Sequence, residues 1–341
     1  MKKIIICLLA GLMLACSLSA CGAVEASKNT SAADAAAGKL NIVCTNFPEY
    51  DFVRQIVGSK ANITMLLKPG AESHSYEPTP QDIITIQNSS LFVYVGGDSD
   101  EWVANVLRSM DRSKMTVFKL MDCVDLAEEE LVEGMQPEAD ESEAGAKDEA
   151  GAKDEAGATS ESGEDPEMDE HVWTSPANAM QIVQKLSDTL CTLDAADADT
   201  YKANTETYLA KLQKLDNDFR QVIDTGKRRE IIVGDRFPFR YFCKEYGLTY
   251  YAAFPGCSKD TEANASTVAF LINKVKSDGI PVVFHIELSN EQMCNSICEA
   301  TGAKSELLNA VHNVSDSDFK AGATYISLME HNVGVLKEAL N

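Results

Sequence analysis

The chain has 341 residues, 45% of them hydrophobic, and carries a formal net charge of −23. Nucleic acid is excluded as a partner, because its phosphates would be repelled; acidity otherwise speaks only for solubility. About 300 residues beyond the N-terminal segment exceed a single core and predict two domains.

Residues 1–20 begin Met1-Lys2-Lys3, continue with an apolar run and finish in small residues, the layout of an export signal that is removed. The run is shorter than the roughly 20 apolar residues of a spanning helix, and no later stretch qualifies. Leu18-Ser19-Ala20-Cys21 looks like the lipobox of bacterial lipoproteins. That resemblance implies acylation of Cys21, with more than one acyl chain for a stable anchor on the extracytoplasmic face of the membrane. Residues 21–38, rich in Ala and Ser, follow as a tether.

From there strand-like apolar runs alternate with amphipathic segments, the pattern of parallel α/β layers. Strands are predicted at 40–44, 63–67, 91–95 and 116–120, with helices at 49–56, 80–88 and 101–110. The alternation resumes with strands at 231–233, 250–253, 282–286 and 306–311 and helices at 239–246, 265–277, 290–301 and 321–340. Between these halves, Ala198–Thr225 contains no Gly or Pro and spaces Tyr201, Tyr208, Leu212, Leu215, Phe219 and Ile223 helically. Such a helix spans roughly 40 Å at about 1.5 Å per residue. The expected fold is therefore α/β: two lobes, each a mainly parallel sheet flanked by helices, joined by one long rigid helix. The N-terminal lobe covers 39–195, the linking helix 196–228 and the C-terminal lobe 229–341.

Residues 138–170 hold 14 acidic and 2 basic residues, with A-G-A-K-D-E repeated at 144–149 and 150–155. With almost nothing apolar to bury, the stretch 136–170 is predicted to be a disordered loop, read as a solvated spacer before a weak metal collector. Once Cys7, Cys16 and Cys21 are set aside, seven cysteines remain, an odd number without a C-x-x-C pair. That fits neither a disulfide framework nor a zinc ribbon. A Cys243–Cys257 bridge is left open, and Cys294 and Cys298 are read as buried thiols.

The chain has five histidines. His74 lies in the loop after the second predicted strand, and His171 directly after the acidic stretch. His285 and Glu287 end the strand 282–286 and share a face by its period of two. His312 follows the last strand, and Asp235 follows the strand 231–233. Ligands bind at the carboxyl edge of such sheets, so these groups converge on a cleft between the lobes. Imidazole with carboxylate is the ligand set for Zn²⁺, with Mn²⁺ or Fe²⁺ favoured as carboxylates replace imidazoles.

Four segments extend this reading: T-N-F-P-E-Y-D-F-V-R-Q-I at 45–56, P-G-A-E-S-H-S-Y-E-P-T-P at 69–80, H-V-W-T-S-P at 171–176 and Y-I-S-L-M-E-H-N at 325–332. In their order the chain resembles the metal-binding receptors of bacterial ABC importers for zinc and manganese, over nearly the whole mature length. The resemblance implies that His74 and His171 are the first two ligands. It places Arg236 where the third ligand of the family is expected, with Asp235 one residue away. His312 stands near the usual fourth ligand, an Asp, and Glu287 near a usual Glu; His285 has no counterpart. The expected site is His74, His171 and His312 closed by a carboxylate from Asp235 or Glu287. Three imidazoles favour zinc over manganese.

An ABC permease is the implied partner, with the receptor acting as a monomer. An enzyme is not expected, since H-E-x-x-H, G-x-S-x-G and a phosphate-binding Gly loop do not occur. A metal-stabilised surface adhesin is the remaining alternative. Among other residues, His331 is expected to pack or cap within the last helix, Arg236 to pair with Glu287 or Asp235, and Trp102 and Trp173 to cover apolar surface near the cleft rim. Tyr76 and Glu77 are expected to support the His74 loop.

Overall fold

In the computed structural model, residues 38–135, 167–258 and 264–341 are described. The export signal, Cys21 and the greater part of the acidic stretch lie outside them. The first half forms β1 (Asn41–Cys44), α1 (Phe47–Val57), β2 (Asn62–Met65), α2 (Pro80–Gln87), β3 (Leu91–Tyr94), α3 (Glu101–Ser109) and β4 (Thr116–Lys119). All pairings are parallel, in the order β2-β1-β3-β4. Ile42, Val43 and Cys44 on β1 and Leu91, Phe92 and Val93 on β3 are buried in succession, as a sheet covered on both faces requires.

Two helices follow, α4 (Pro176–Leu193) and α5 (Ala198–Thr225). Helix α4 was not anticipated, although Ser175 caps it through the Asn178 amide and Pro176 opens its first turn, a standard start signal. The second half gives β5 (Glu230–Phe237), α6 (Arg240–Tyr246), β6 (Thr249–Pro255), α7 (Ala265–Asp278), β7 (Val282–His285), α8 (Gln292–Thr301), β8 (Lys304–Leu307), α9 (Asp316–Ala321) and α10 (Tyr325–Ala339). This sheet is also parallel, in the order β6-β5-β7-β8, and so repeats the first. Strand β5 runs beyond its expected end because a register shift between Val233 and Arg236 lets pairing with β6 resume, which places Asp235 within the irregular stretch. The helix expected at 321–340 starts later, at Tyr325, where Thr324 and Ser327 form a capping box, and the unanticipated short α9 ends before it at Gly322.

Helix α5 touches both halves. Asn204 donates to the Ile56 carbonyl at 2.9 Å, and Tyr246 donates to Asp216 at 2.9 Å. Helix α10 reaches across as well: its Tyr325 amide donates to Asp51 of α1 at 2.7 Å, and the Tyr325 hydroxyl donates to the Trp173 carbonyl at 2.7 Å. One hydrophobic cluster accordingly runs from β1 and α1 through α4 and α5 to β7 and α10, and Lys39–Asn341 forms one compact unit. All seven described cysteines are free thiols, so Cys243 and Cys257 are not bridged.

Candidate metal centre

The sheets direct their carboxyl edges at one place. His74 comes from the loop after β2, and His312 from the loop after β8. His171 follows a short antiparallel ribbon: Glu128 bridges Met168, Glu129 donates its amide to the Glu167 carbonyl, and Asp169 donates its own to Ala127. Residues 167–170 are thus folded, which corrects the expectation of a loop as far as Glu170. Asp169 and Glu170 are buried because partners for their charge lie beside them.

One ring nitrogen from each of His74, His171 and His312 lies within 4.8 Å of the other two. The ring centroids are 5.7, 5.2 and 4.8 Å apart. All three Nε2 atoms are buried and have no hydrogen-bond partner among the described residues. Each Nδ1 is engaged instead. That of His74 meets the Ser99 hydroxyl at 2.9 Å, with Glu170 at 3.6 Å, and Ser99 in turn donates to Glu170. That of His171 meets Asp169 at 3.1 Å, and that of His312 meets Glu287 at 3.3 Å. A carboxylate behind the far nitrogen fixes the tautomer and presents the near lone pair, the arrangement found behind metal-ligating histidines.

Local backbone chemistry builds this geometry. Glu287 accepts from the Ala310 amide at 2.7 Å and the His312 amide at 2.8 Å, spanning Val311, whose φ is +65°. A β-branched residue there is strained by about 1–3 kcal/mol, which the bridging carboxylate offsets. The same loop is stitched to the first half: Asn313 donates to the Lys68 and Ala71 carbonyls at 2.7 and 2.9 Å, and Trp173 donates to Ala310 at 2.7 Å. Gly256 lets backbone lie against His171, since a Cβ there would stand 2.9 Å from the imidazole Cε1.

Burial pushes His74 and His312 well below the usual imidazole pKa, and the neighbouring imidazoles and the Arg236 guanidinium push the same way. Burial acts on His171 too, but Asp169, Glu170 and Glu129 outweigh it and hold that ring above its usual value. Burial raises Glu170 and Glu287. The centre thus has three imidazoles and three buried carboxylates around one point, a place suited to a cation.

The other expected site residues stand elsewhere. Glu287 is committed to two amides and the His312 ring. Asp235 accepts from the Arg236 amide at 2.9 Å, and His285 faces Glu291 at 4.0 Å; neither joins the three imidazoles. Arg236 pairs through its side chain with Glu72 at 2.9 Å rather than with Glu287 or Asp235, because the His74 loop brings Glu72 over it. A cavity of about 10 Å³ beside Glu72, Arg236, Glu287 and His312 is about the size of one water. Trp173 is fully buried beneath the centre, not at a rim, and His331 is exposed. Tyr76 donates to Asp82 of α2 at 3.0 Å and so braces the end of the His74 loop. Ser99, Asp169 and Glu170 were missed, although D-E-H at 169–171 already places two acids next to a histidine.

Two like-ordered parallel sheets with inward-turned imidazoles at their shared edge define a two-lobed α/β protein with a candidate metal centre between the sheets. The chain belongs to the family of ZnuA, the periplasmic component A of the zinc-uptake complex, whose profile matches residues 42–339. It is 32% identical over 323 residues to the high-affinity zinc uptake system protein ZnuA of Bacillus subtilis, covering 95% of this chain and 93% of that protein. It is 31% identical over 301 residues to the zinc-binding lipoprotein AdcA of Streptococcus pneumoniae, covering 88% of this chain and 56% of AdcA; the chain thus spans about half the length of that relative. Among solved structures, the Zn(II)-bound ZnuA-like domain of S. pneumoniae AdcA matches with a TM-score of 0.69 at 29% identity, over 89% of this chain and 99% of that one. The metal-dependent lipoprotein YcdH of B. subtilis matches with a TM-score of 0.70, also at 29% identity and over 89% and 99% of the two chains.

Proposed function

We propose that this chain captures one zinc ion at His74, His171 and His312 and delivers it to an ABC permease in the membrane, acting as a monomeric receptor and not as an enzyme. The observation that carries the reading is the convergence of three buried Nε2 atoms without a partner, each backed by an acceptor at Nδ1. Three neutral imidazoles suit Zn²⁺ better than Mn²⁺, which prefers carboxylate oxygen. Asp169, Glu170 and Glu287 balance the ion's charge through the rings they orient, and one water completes the tetrahedron in the small cavity by Arg236.

The zinc names of the AdcA and ZnuA relatives support this cargo, and the lipoprotein name of AdcA supports a lipid on Cys21 that holds the chain at the extracytoplasmic face. Within the receptor, 39–195 and 229–341 act as lobes and 196–228 as a strut. Its contacts to both halves, with those of α10, favour small lobe movements on loading. Metal analysis of protein purified without added metal, followed by zinc–manganese competition, tests the reading. One zinc per chain that equimolar manganese does not displace is expected; displacement by manganese overturns it.

A further inference from the structure

Beside the tri-imidazole centre lie two more groups of metal-binding side chains, and the three groups overlap. Glu170, His171 and Cys257 have ligand atoms within 4.8 Å of one another, and so do Glu129, Glu167 and Cys257. His171 belongs to the innermost group and the middle one; Cys257 belongs to the middle one and the outermost. The groups therefore form a chain in which each step exchanges some ligands while keeping another.

The fold places these residues deliberately close. Glu129 and Glu167 sit opposite each other on the antiparallel ribbon, which Tyr241 pins to α6 by donating to the Asp169 carbonyl at 2.7 Å while accepting from the Ala127 amide at 3.2 Å. Cys257 lies in the loop after β6, and its amide donates to one oxygen of Glu129 at 3.2 Å, which fixes the carboxylate beside the thiol. The thiol is a free one, buried to 6% exposure, and its sulfur makes no hydrogen bond among the described residues. Exposure rises outward along the chain, from buried Glu170 through half-buried Glu129 to exposed Glu167. Cys257 and His74 also border a cavity of about 460 Å³ whose wall carries Glu77, Asp98 and Glu101, so solvent cations reach the thiol on an acidic path.

We propose that Cys257, with Glu129 and Glu167, forms a second, outer station for a divalent borderline metal ion, and that the ion passes from it to the tri-imidazole centre by way of His171. One thiolate and two carboxylates form a coordination set for zinc. On binding, the thiol proton leaves to solvent, and the ion keeps Cys257 while Glu170 and His171 replace the outer glutamates. It then keeps His171 while His74 and His312 replace Cys257 and Glu170. No step requires the ion to lose all its protein ligands at once, which lowers the barrier to loading a buried site. The inference rests on the reading of the tri-imidazole centre as the zinc site.

The experiment uses the full mature chain, with cobalt alone and zinc alone as probes. The first equivalent of cobalt should give the spectrum of a nitrogen site, and excess cobalt should add a near-ultraviolet thiolate-to-cobalt band that Cys257→Ser removes. In stopped-flow loading, Cys257→Ser and Glu129→Gln should each slow zinc uptake about tenfold, a larger factor than either change makes in the equilibrium affinity for the first zinc. A wild-type protein without the thiolate band, a band that survives Cys257→Ser, or loading at the wild-type rate in both variants overturns the relay. If Cys257→Ser folds poorly, as its thermal unfolding would reveal, Glu129→Gln decides the kinetic arm. Failure of the underlying zinc reading looks different: the first zinc would still bind when His74, His171 and His312 are all alanine.

Discussion

His74 and His312 approach the same point from matching edges of two sheets with the same strand order, yet they are held differently. His74 is turned by a hydroxyl, Ser99, which passes its own hydrogen bond on to Glu170, and Glu170 itself stands 3.6 Å from the ring. His312 is turned directly by Glu287, and that carboxylate also secures the two amides that flank the left-handed Val311. The first histidine has two supports, one of them in reserve. The second depends on a single group that aims the ring and holds the loop. Repetition of a fold therefore does not repeat the tolerance of its loops: an orienting group becomes indispensable where it also compensates backbone strain.

The largest effect should come from removing an imidazole altogether. His171→Ala, which takes away the ring shared with both neighbours, is expected to weaken zinc binding on the order of a thousandfold, about 4 kcal/mol. Competition against a chromophoric chelator measures this, and an unchanged affinity would remove the centre from the comparison. Next come the supports. Glu287→Gln should cost about 10–100-fold in affinity, and it should also lower the stability of the metal-free protein by about 1–3 kcal/mol, because a buried amide loses its acceptor. Ser99→Ala should cost only severalfold and leave stability nearly unchanged, since Glu170 still faces the ring. Equal losses in the two variants, by chelator competition and thermal unfolding, would break the distinction between the loops.

The smallest effect concerns protons. Zinc takes neutral imidazoles, so any proton on a ring must leave. His74 and His312 lie well below the usual histidine value and are neutral near pH 7, whereas His171 lies above it. Affinity should therefore fall as pH drops through the His171 value, beginning above the ordinary midpoint near 6.5, and that ring should be the source of the proton released on loading. Calorimetry in buffers of different ionisation heat counts that proton. Asp169→Asn, which removes the charge that holds it, should reduce the count. For the metal-free fold the signs are opposed. The raised His171 adds stability below the unfolded value and loses it as pH rises through the folded one. The depressed His74 and His312 subtract stability as pH falls below the unfolded value.

Much of this was readable along the chain because it depends on local order. Alternating apolar runs and amphipathic segments specify parallel layers wherever both faces of a sheet are covered, and the uninterrupted Ala198–Thr225 could only be a long helix. Placement just beyond predicted strands, at the carboxyl edge of a sheet, makes His74 and His312 candidates, and H-V-W-T-S-P marks His171 by resemblance. The groups that hydrogen-bond the far side of each imidazole are not readable in the same way. Ser99 and Glu170 are 71 residues apart, and Glu287 and His312 are 25 apart, so only folding shows that they meet. Strand-end position could not separate His285 from His312 either. His285 ends β7 and faces Glu291, while the strained turn at Val311 carries His312 inward. The sequence by itself determined which residues could bind a metal and which edge would present them, because those follow from side-chain chemistry and periodicity. Which of them share a point in space, and whether a carboxylate is a ligand or a support for one, was decided by tertiary packing, because hydrogen-bond geometry across distant loops has no signature in a linear pattern.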